Sequence, residues 1–250
     1  MATLYPCSIF TRHNVPRECF PAGVDLYTLR GMNIRPSVPL FLMALALLGC
    51  TQKPSSKAVA VETLYHGCQL CHSKQELQRG PVLDGQNGKY LARQLQKFKN
   101  GQRGKSDAHR SEALMGTATD VLAEKDIKRI SRYIAAQPPK PYQPSVKGDM
   151  TKGEVIYTTT CMSCHGKQAE GSWLFKTGSL AIFEDWYLLA QLRHYKHGRR
   201  GAHPDDAEGQ LMVARVADMD DTALIDVVTY IASAFGSLTN APPGHASVQD

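Results

Sequence analysis

Two stretches of the chain, residues 68–72 and residues 161–165, contain the same five-residue pattern, C-x-x-C-H. This pattern is the attachment signal for c-type haem. Two cysteines three positions apart lie on one side of a helical turn, where both thiols can form thioethers with the haem vinyl groups. The histidine that follows then lies below the iron as its proximal ligand. The sequence therefore predicts two covalently attached haem c groups. The predicted thioether cysteines are Cys68, Cys71, Cys161 and Cys164, and the predicted proximal ligands are His72 and His165.

The same cysteine spacing also occurs in structural zinc sites and in redox-active dithiols. The two motifs lie 93 residues apart, whereas paired C-x-x-C zinc ligands are usually separated by about 15–20 residues. A thioredoxin-like dithiol requires a βαβ context, and the flanking segments have helical patterns. Haem attachment is therefore the preferred interpretation.

An internal duplication selects candidates for the sixth iron ligand. An offset of 97 residues carries segment 90–104 onto segment 187–201 and Met115 onto Met212. The thioether of methionine is a soft ligand that raises the reduction potential of a haem. Met219 falls on Leu122, a core position of the first repeat. We therefore predict Met115 and Met212 as iron ligands, with core filling as the alternative role of each. Other candidate ligands, favoured less, are His109, His194, His197 and His203.

Helices are the elements expected to position these residues. Apolar side chains recur at helical spacing in segments 127–134 and 224–231. Asp220 is the expected N-cap of the second of these helices, and Ala123 is a poorer cap at the equivalent place in the first. Prolines crowd residues 138–144 and cannot continue a helix, so they mark a linker. The predicted fold class is all-α, with two tandem domains.

From about Ser56 to Ser237 the chain resembles the two-haem cytochrome c4 family, which has two class I cytochrome c domains. The resemblance rests on the paired C-x-x-C-H motifs, on the segment Y-L-x-x-Q-L-x-x-F-x-x-G-x-R-G after residues 81–86, and on a methionine before a final helix with a Tyr-Ile pair. It implies two cytochrome c-like domains, each wrapped around one haem. In the family, the carbonyl of the proline found here as Pro81 orients the proximal histidine. The second repeat has Thr177-Gly178-Ser179-Leu180-Ala181 instead, which leaves open the hydrogen-bond partner of His165.

The first fifty residues have the pattern of an export signal. The apolar run from Pro39 to Gly49 is too short to span a bilayer and is typical of a signal-peptide core. It ends in Leu-Leu-Gly-Cys50, which resembles the bacterial lipoprotein cleavage box and implies a lipid on Cys50. An ordinary signal peptide with an incidental cysteine is the alternative. Thr51 stands where an inner-membrane retention signal has aspartate, so we expect a periplasmic protein anchored by lipid, with the outer membrane favoured.

These patterns divide the chain into predicted segments. The division is an upstream extension at 1–31, a lipoprotein signal peptide at 32–49, a tether at 50–56, a first cytochrome c domain at 57–137, a Pro-rich linker at 138–147, a second cytochrome c domain at 148–238 and a tail at 239–250.

Charge and ligation together indicate the class of function. Without residues 1–49 the chain has 25 Lys and Arg against 21 Asp and Glu, a balance that gives no support to nucleic-acid binding. Basic residues in 89–105 and 193–200 are expected to pair with haem propionates, to dock an acidic partner or to form a solvated face. If both irons carry His and Met, neither has an open position for a substrate.

The favoured function is an electron carrier, not an enzyme. It would pass electrons between redox protein partners, such as a quinol-oxidising complex or a dehydrogenase and a terminal oxidase or reductase. The alternatives are a di-haem enzyme of the peroxidase or thiosulfate dehydrogenase type and a fixed haem subunit of a larger membrane oxidoreductase.

Overall fold

The computed structural model describes residues 59–73, 78–104 and 110–236, all within one unit, Lys57–Asp250. The predictions for residues 1–56 and 239–250, including Cys50, lie outside the described residues. In the described ranges the regular structure is helical, with a single pair of bridged residues and no strand, so the all-α prediction is confirmed. The helices are α1 Val61–His72, α2 Gly88–Lys99, α3 Arg110–Asp120, α4 Glu124–Ala135, α5 Met150–Ile156, α6 Met162–His165, α7 Asp185–Lys196, α8 Ala207–Val216 and α9 Asp221–Ala234.

None of these helices is long and apolar enough to cross a membrane within the described part of the chain. A π-helical segment, Tyr157–Cys161, joins α5 to α6.

The first core forms where α1 and α2 pack on α4. Ile127, Ile130 and Ile134 project from one face of α4 and are 1–2% exposed, as their spacing predicts. Tyr65 of α1 and Leu91 of α2 complete this core. Burial of these apolar side chains fixes the direction of α1, whose last turn contains the first C-x-x-C-H motif.

The second core forms where α5 and α7 pack on α9. Gly153 of α5 touches α9 so closely that a Cβ atom there would overlap the carbonyl oxygen of Asp226, which explains the glycine. At the start of α9 the Asp220 side chain accepts a hydrogen bond from the Ala223 N–H at 2.8 Å, so the predicted cap is confirmed. Ala123, before α4, provides no side-chain cap, also as predicted.

Equivalent contacts recur in the two repeats. Lys99 Nζ donates to the carbonyl of Leu122, and Lys196 Nζ donates to that of Met219, 97 residues further along. The other repeated contact stacks a guanidinium 4.5 Å from an aromatic ring centroid, through Arg103 on Phe98 and through Arg200 on Tyr195. The internal duplication read from the sequence is therefore also a duplication of contacts.

A group of four side chains, the Arg–Gln quartet, joins the two repeats, and three of its members, Arg103, Gln191 and Arg200, are buried. Gln94 Oε1 accepts from Arg103 at 2.9 Å and from Arg200 at 3.0 Å. Gln191 Oε1 accepts from the same two arginines at 2.8 and 2.7 Å. Each arginine therefore bridges both glutamines, and each glutamine bridges both repeats.

Most of the basic residues singled out from the sequence have partners within the chain. Lys97 pairs with Asp206 at 2.5 Å, and Arg193 pairs with Asp221 at 2.7 Å. Arg103 and Arg200 are 6–7% exposed, so the expectation of a solvated face is wrong for them. They hold the two repeats together instead.

The chain between α4 and α5 is fastened at both ends. Lys140 Nζ lies 2.8 Å from Asp84 of the first repeat. At the other end, Asp185 of α7 accepts hydrogen bonds from the backbone N–H groups of Ser145 and Val146. The proline-rich segment therefore contacts both repeats.

Candidate functional site

The first C-x-x-C-H motif occupies the last turn of α1. The carbonyl of Cys71 accepts hydrogen bonds from the N–H groups of Arg79 and Gly80 at 3.1 and 3.0 Å, which brings the following loop back over the helix end. The Pro81 carbonyl then lies 2.8 Å from His72 Nδ1. A Cβ atom at Gly80 would overlap the His72 ring, so glycine is required where the loop passes the imidazole.

The other ring nitrogen of His72 faces a methionine. His72 Nε2 lies 3.4 Å from Met115 Sδ, which comes from α3. Burial lowers the pKa of His72 below its ordinary value, although the Pro81 hydrogen bond opposes this shift, and the neutral imidazole is a metal ligand. An imidazole nitrogen facing a thioether sulfur is the donor set of an electron-transfer c-type haem, so these residues fit the predicted group. The structure brings Met115 to His72, which directly follows Cys71 in the motif.

The second motif begins in the π-helical segment. Cys161 Sγ lies 3.9 Å from the Ile156 carbonyl, five residues back, whereas Cys68 Sγ contacts the Leu64 carbonyl, four residues back. Single π turns are frequent at functional sites. The extra residue in this turn changes the direction in which the first cysteine of the motif projects.

A loop, residues 171–178, covers the end of α6. The Gly171 N–H donates to the His165 carbonyl at 2.9 Å, and Thr177 Oγ1 donates to the Cys164 carbonyl at 2.8 Å. Three apolar side chains at the tip of this loop are exposed, a feature that the sequence interpretation missed. They are Trp173, Leu174 and Phe175, which are 83%, 63% and 46% exposed.

The second proximal histidine differs from the first. His165 Nδ1 is buried and has no hydrogen-bond partner among the described residues. Burial lowers the pKa of His165 to about 4, which keeps the imidazole neutral. The structure thus gives His165 no equivalent of the Pro81 carbonyl.

Met212 lies on α8, the counterpart of α3. A Cβ atom at Gly104 would lie 2.5 Å from the Glu112 carbonyl of α3, and one at Gly201 would lie 2.5 Å from the Gly209 carbonyl of α8. The two helices therefore contact equivalent glycine turns. In each helix the contacting residue, Glu112 or Gly209, lies three positions before the paired methionine. Met212 and Met219 are both partly buried against the second core.

The zinc alternative finds no support in this geometry. Across residues 59–73, 78–104 and 110–236, no group of three or more His, Cys, Asp or Glu side chains is arranged to hold a metal ion.

Comparison with known proteins identifies relatives of both repeats. The family described as Cytochrome c matches residues 58–137 and again residues 150–235. Cytochrome c-552 of Acidithiobacillus ferridurans is 25% identical over 170 residues, which span 63% of this chain and 70% of that protein.

Three solved structures share the fold. Cytochrome c4 of Acidithiobacillus ferrooxidans has a TM-score of 0.56 at 24% identity, over 69% of this chain and 99% of that one. Cytochrome c4 of Pseudomonas stutzeri has a TM-score of 0.52 at 22% identity, over 68% and 95%. The thiosulfate dehydrogenase TsdBA of Marichromatium purpuratum has a TM-score of 0.55 at 25% identity, over 73% of this chain but only 40% of that one.

Proposed function

Because the chain belongs to the cytochrome c family and has two domains, each with a covalent haem c, we propose that it is a periplasmic electron carrier. It takes electrons from one redox protein, such as a quinol-oxidising complex or a dehydrogenase, and gives them to another, such as a terminal oxidase or reductase. When bound, each haem supplies an iron that accepts and releases one electron. The observation that carries the proposal is the 3.4 Å approach of His72 Nε2 to Met115 Sδ.

In the first domain, α1 and α3 provide the residues that hold the group. Cys68 and Cys71 would form the thioethers, and His72 and Met115 would provide the nitrogen and sulfur ligands of the iron. If the chain provides both of these ligands, the iron would have no open position for a substrate. The thioether sulfur also raises the reduction potential, which suits a carrier more than an oxygen-binding site.

In the second domain, Cys161 and Cys164 would form the thioethers, and His165 and Met212 would be the iron ligands. The equivalent packing of α3 and α8 against their glycine turns supports Met212, because it gives that helix the register of α3. The matched contacts of Lys99 and Lys196 support the same register, because they pair Met219 with Leu122 and not with Met115.

Cys50 is the proposed site of lipid attachment. The short apolar run before it and the sequence Leu-Leu-Gly-Cys support this proposal. A lipid-modified cysteine with several acyl chains would give a stable anchor on the outer membrane, from which the two domains project into the periplasm. Palmitate labelling should mark the wild-type chain and should be lost in Cys50→Ala.

The ligand assignments are tested by replacing each methionine in turn. A pyridine haemochrome assay with intact mass should first give two haems per chain. Met115→Ala and Met212→Ala should then each remove half of the Met–iron charge-transfer absorbance and lower one of the two reduction potentials. Met219→Ala is the matched control, since that side chain is also partly buried against the second core, and it should keep the whole band.

The fold shared with part of a thiosulfate dehydrogenase makes the enzyme alternative testable with the same protein. The wild type should lack turnover with thiosulfate or peroxide and should exchange electrons with a soluble redox mediator. Catalytic turnover by the wild type would refute the carrier function. Loss of the charge-transfer band in Met219→Ala, with the band of Met212→Ala unchanged, would refute the ligand assignment.

A further inference from the structure

One peptide group of the first domain is hydrogen-bonded on both sides. Its carbonyl, from Pro81, accepts from His72 Nδ1 at 2.8 Å. Its N–H, from Val82, donates to Glu184 Oε2 at 3.0 Å. Glu184 belongs to the second domain, so a carboxylate of one domain is connected through a single peptide group to the proximal histidine of the other.

The Glu184 carboxylate is held firmly in this position. Its side chain is buried, with the residue 4% exposed. Gln78 Nε2 donates to Glu184 Oε1 at 2.6 Å and to the Gly80 carbonyl at 3.0 Å. Both oxygens of the carboxylate are therefore directed at the loop that passes the His72 ring.

The position of Glu184 in the duplication shows that this contact is not ordinary helix capping. Glu184 is the N-cap residue of α7, but its side chain makes no capping hydrogen bond. The equivalent residue of the first repeat, 97 positions earlier, is Asn87, which caps α2 by accepting from the Tyr90 N–H at 2.9 Å. The second repeat thus gives up a favoured cap and directs a carboxylate into the first domain.

We propose that Glu184 is a positioning residue that tunes the first haem site from the second domain. A negative charge at the amide N–H polarises the peptide group and increases the electron density on its carbonyl oxygen. The hydrogen bond from His72 Nδ1 becomes stronger, and the imidazole becomes a better electron donor through Nε2. Stronger donation stabilises the oxidised iron and lowers the reduction potential of the first site.

The second site has no such chain of hydrogen bonds, because His165 Nδ1 has no partner among the described residues. The reduction potentials of the two sites therefore differ because of a hydrogen bond at the imidazole and not because of a change of iron ligand. This inference rests on the proposed function only in taking His72 as the ligand of the first iron.

The test uses Glu184→Gln in the mature two-haem protein. The amide retains the size of the side chain and an oxygen for the Val82 N–H, but it removes the charge. We expect the reduction potential of the first site to rise and that of the second to stay unchanged. In NMR spectra of the reduced protein, the His72 Nδ1–H resonance should move upfield, which reports a weaker hydrogen bond.

Asp185→Asn is the matched control. Asp185 is the next residue, is 1% exposed and carries the same charge, but it accepts hydrogen bonds from Ser145 and Val146. It should leave the His72 resonance in place. If Asp185→Asn and Glu184→Gln shift the first potential equally, the effect is through-space charge and the proposal is wrong.

A second variant, Gln78→Ala, allows the proposal to be tested even if Glu184→Gln does not fold. Gln78→Ala keeps the Glu184 charge but removes the donor that orients it, and it should raise the first potential by a smaller amount than Glu184→Gln. One outcome is that both variants keep the charge-transfer absorbance of two Met-ligated haems and leave the first reduction potential and the His72 resonance unchanged. In that case the inference about Glu184 fails and the proposed function stands. If the wild type lacks that absorbance, the proposed function itself fails.

Discussion

From the hydrogen bonds of the Arg–Gln quartet we predict how much free energy of unfolding is lost when the contact between the two repeats is weakened. Gln94→Ala removes one carbonyl oxygen that accepts from Arg103 at 2.9 Å and from Arg200 at 3.0 Å. A hydrogen bond to a charged group contributes about 1.5–3 kcal/mol, so two lost bonds set an upper limit of about 3–6 kcal/mol. Gln94 is only partly buried, so water replaces some of what is lost. We expect a loss of about 2–4 kcal/mol in the free energy of unfolding.

Gln191→Ala provides a symmetric comparison. Gln191 accepts from the same two arginines, at 2.8 and 2.7 Å, and is 8% exposed. Water has less access there, so Gln191→Ala should cost at least as much as Gln94→Ala. The double variant should cost less than the sum of the two single variants, because both act on the same arginines.

Gln96→Ala is the matched control. Gln96 lies on α2 with Gln94, but its amide donates to Glu124 on the exposed side of the helix. The same substitution on the same helix carries the same change in helix propensity, so the difference isolates the quartet. Gln96→Ala should change stability by no more than about 0.5 kcal/mol.

The assay is guanidinium unfolding of the oxidised, two-haem protein, followed by far-ultraviolet circular dichroism. Equal stability of Gln94→Ala and Gln96→Ala would refute the reasoning, because it would mean that the buried contacts between the repeats add nothing. Splitting of the unfolding curve into two transitions in Gln94→Ala alone would agree with it, since the repeats would then unfold separately.

Two further predictions concern the first site and the acid limit of stability. Gly80→Ala should displace the His72 ring, because a Cβ atom there overlaps it, and should weaken the charge-transfer band. Gly67 lies on α1 with His72, and a Cβ atom there has nothing within 4 Å, so Gly67→Ala should keep the band and raise the free energy of unfolding by about 0.5–1 kcal/mol. Burial alone would raise the pKa of Glu112, but the Arg103 and Arg200 guanidiniums and a hydrogen bond from His194 outweigh it, and its pKa lies well below its usual range. The ionised Glu112 carboxylate therefore stabilises the folded protein above its unfolded-state pKa of about 4.3, and this stabilisation is lost as the pH falls below that value. Urea unfolding between about pH 5 and pH 3 should show a steeper loss of stability in the wild type than in Glu112→Gln.

The sequence predicted the features that follow from local pattern. The helical spacing of Ile127, Ile130 and Ile134 identified a buried face, and Asp220 identified a helix start, because both depend on neighbours within a few residues. The repeat offset also carried over into three dimensions, as the paired contacts of Lys99 and Lys196 show.

Contacts between distant segments were not predictable in the same way. Arg103 and Arg200 look like solvated helix residues in sequence, but both are buried, because each finds a glutamine from the other repeat. The π-helical turn at Tyr157–Cys161 has no sequence signal that we recognise. Glu184 did carry a weak signal, since a long side chain stands where short polar N-caps are preferred.

The contact between Glu184 and Val82 exists only while the two domains are packed together, so the electron affinity of the first site is coupled to the packing. If packing of the domains lowers the affinity of the first site for an electron, then reduction of that site must weaken the packing by the same factor, because coupling between two equilibria is reciprocal. The Arg–Gln quartet opposes separation through contacts that do not involve His72. The quartet therefore opposes the loosening of the packing that reduction of the first site would cause.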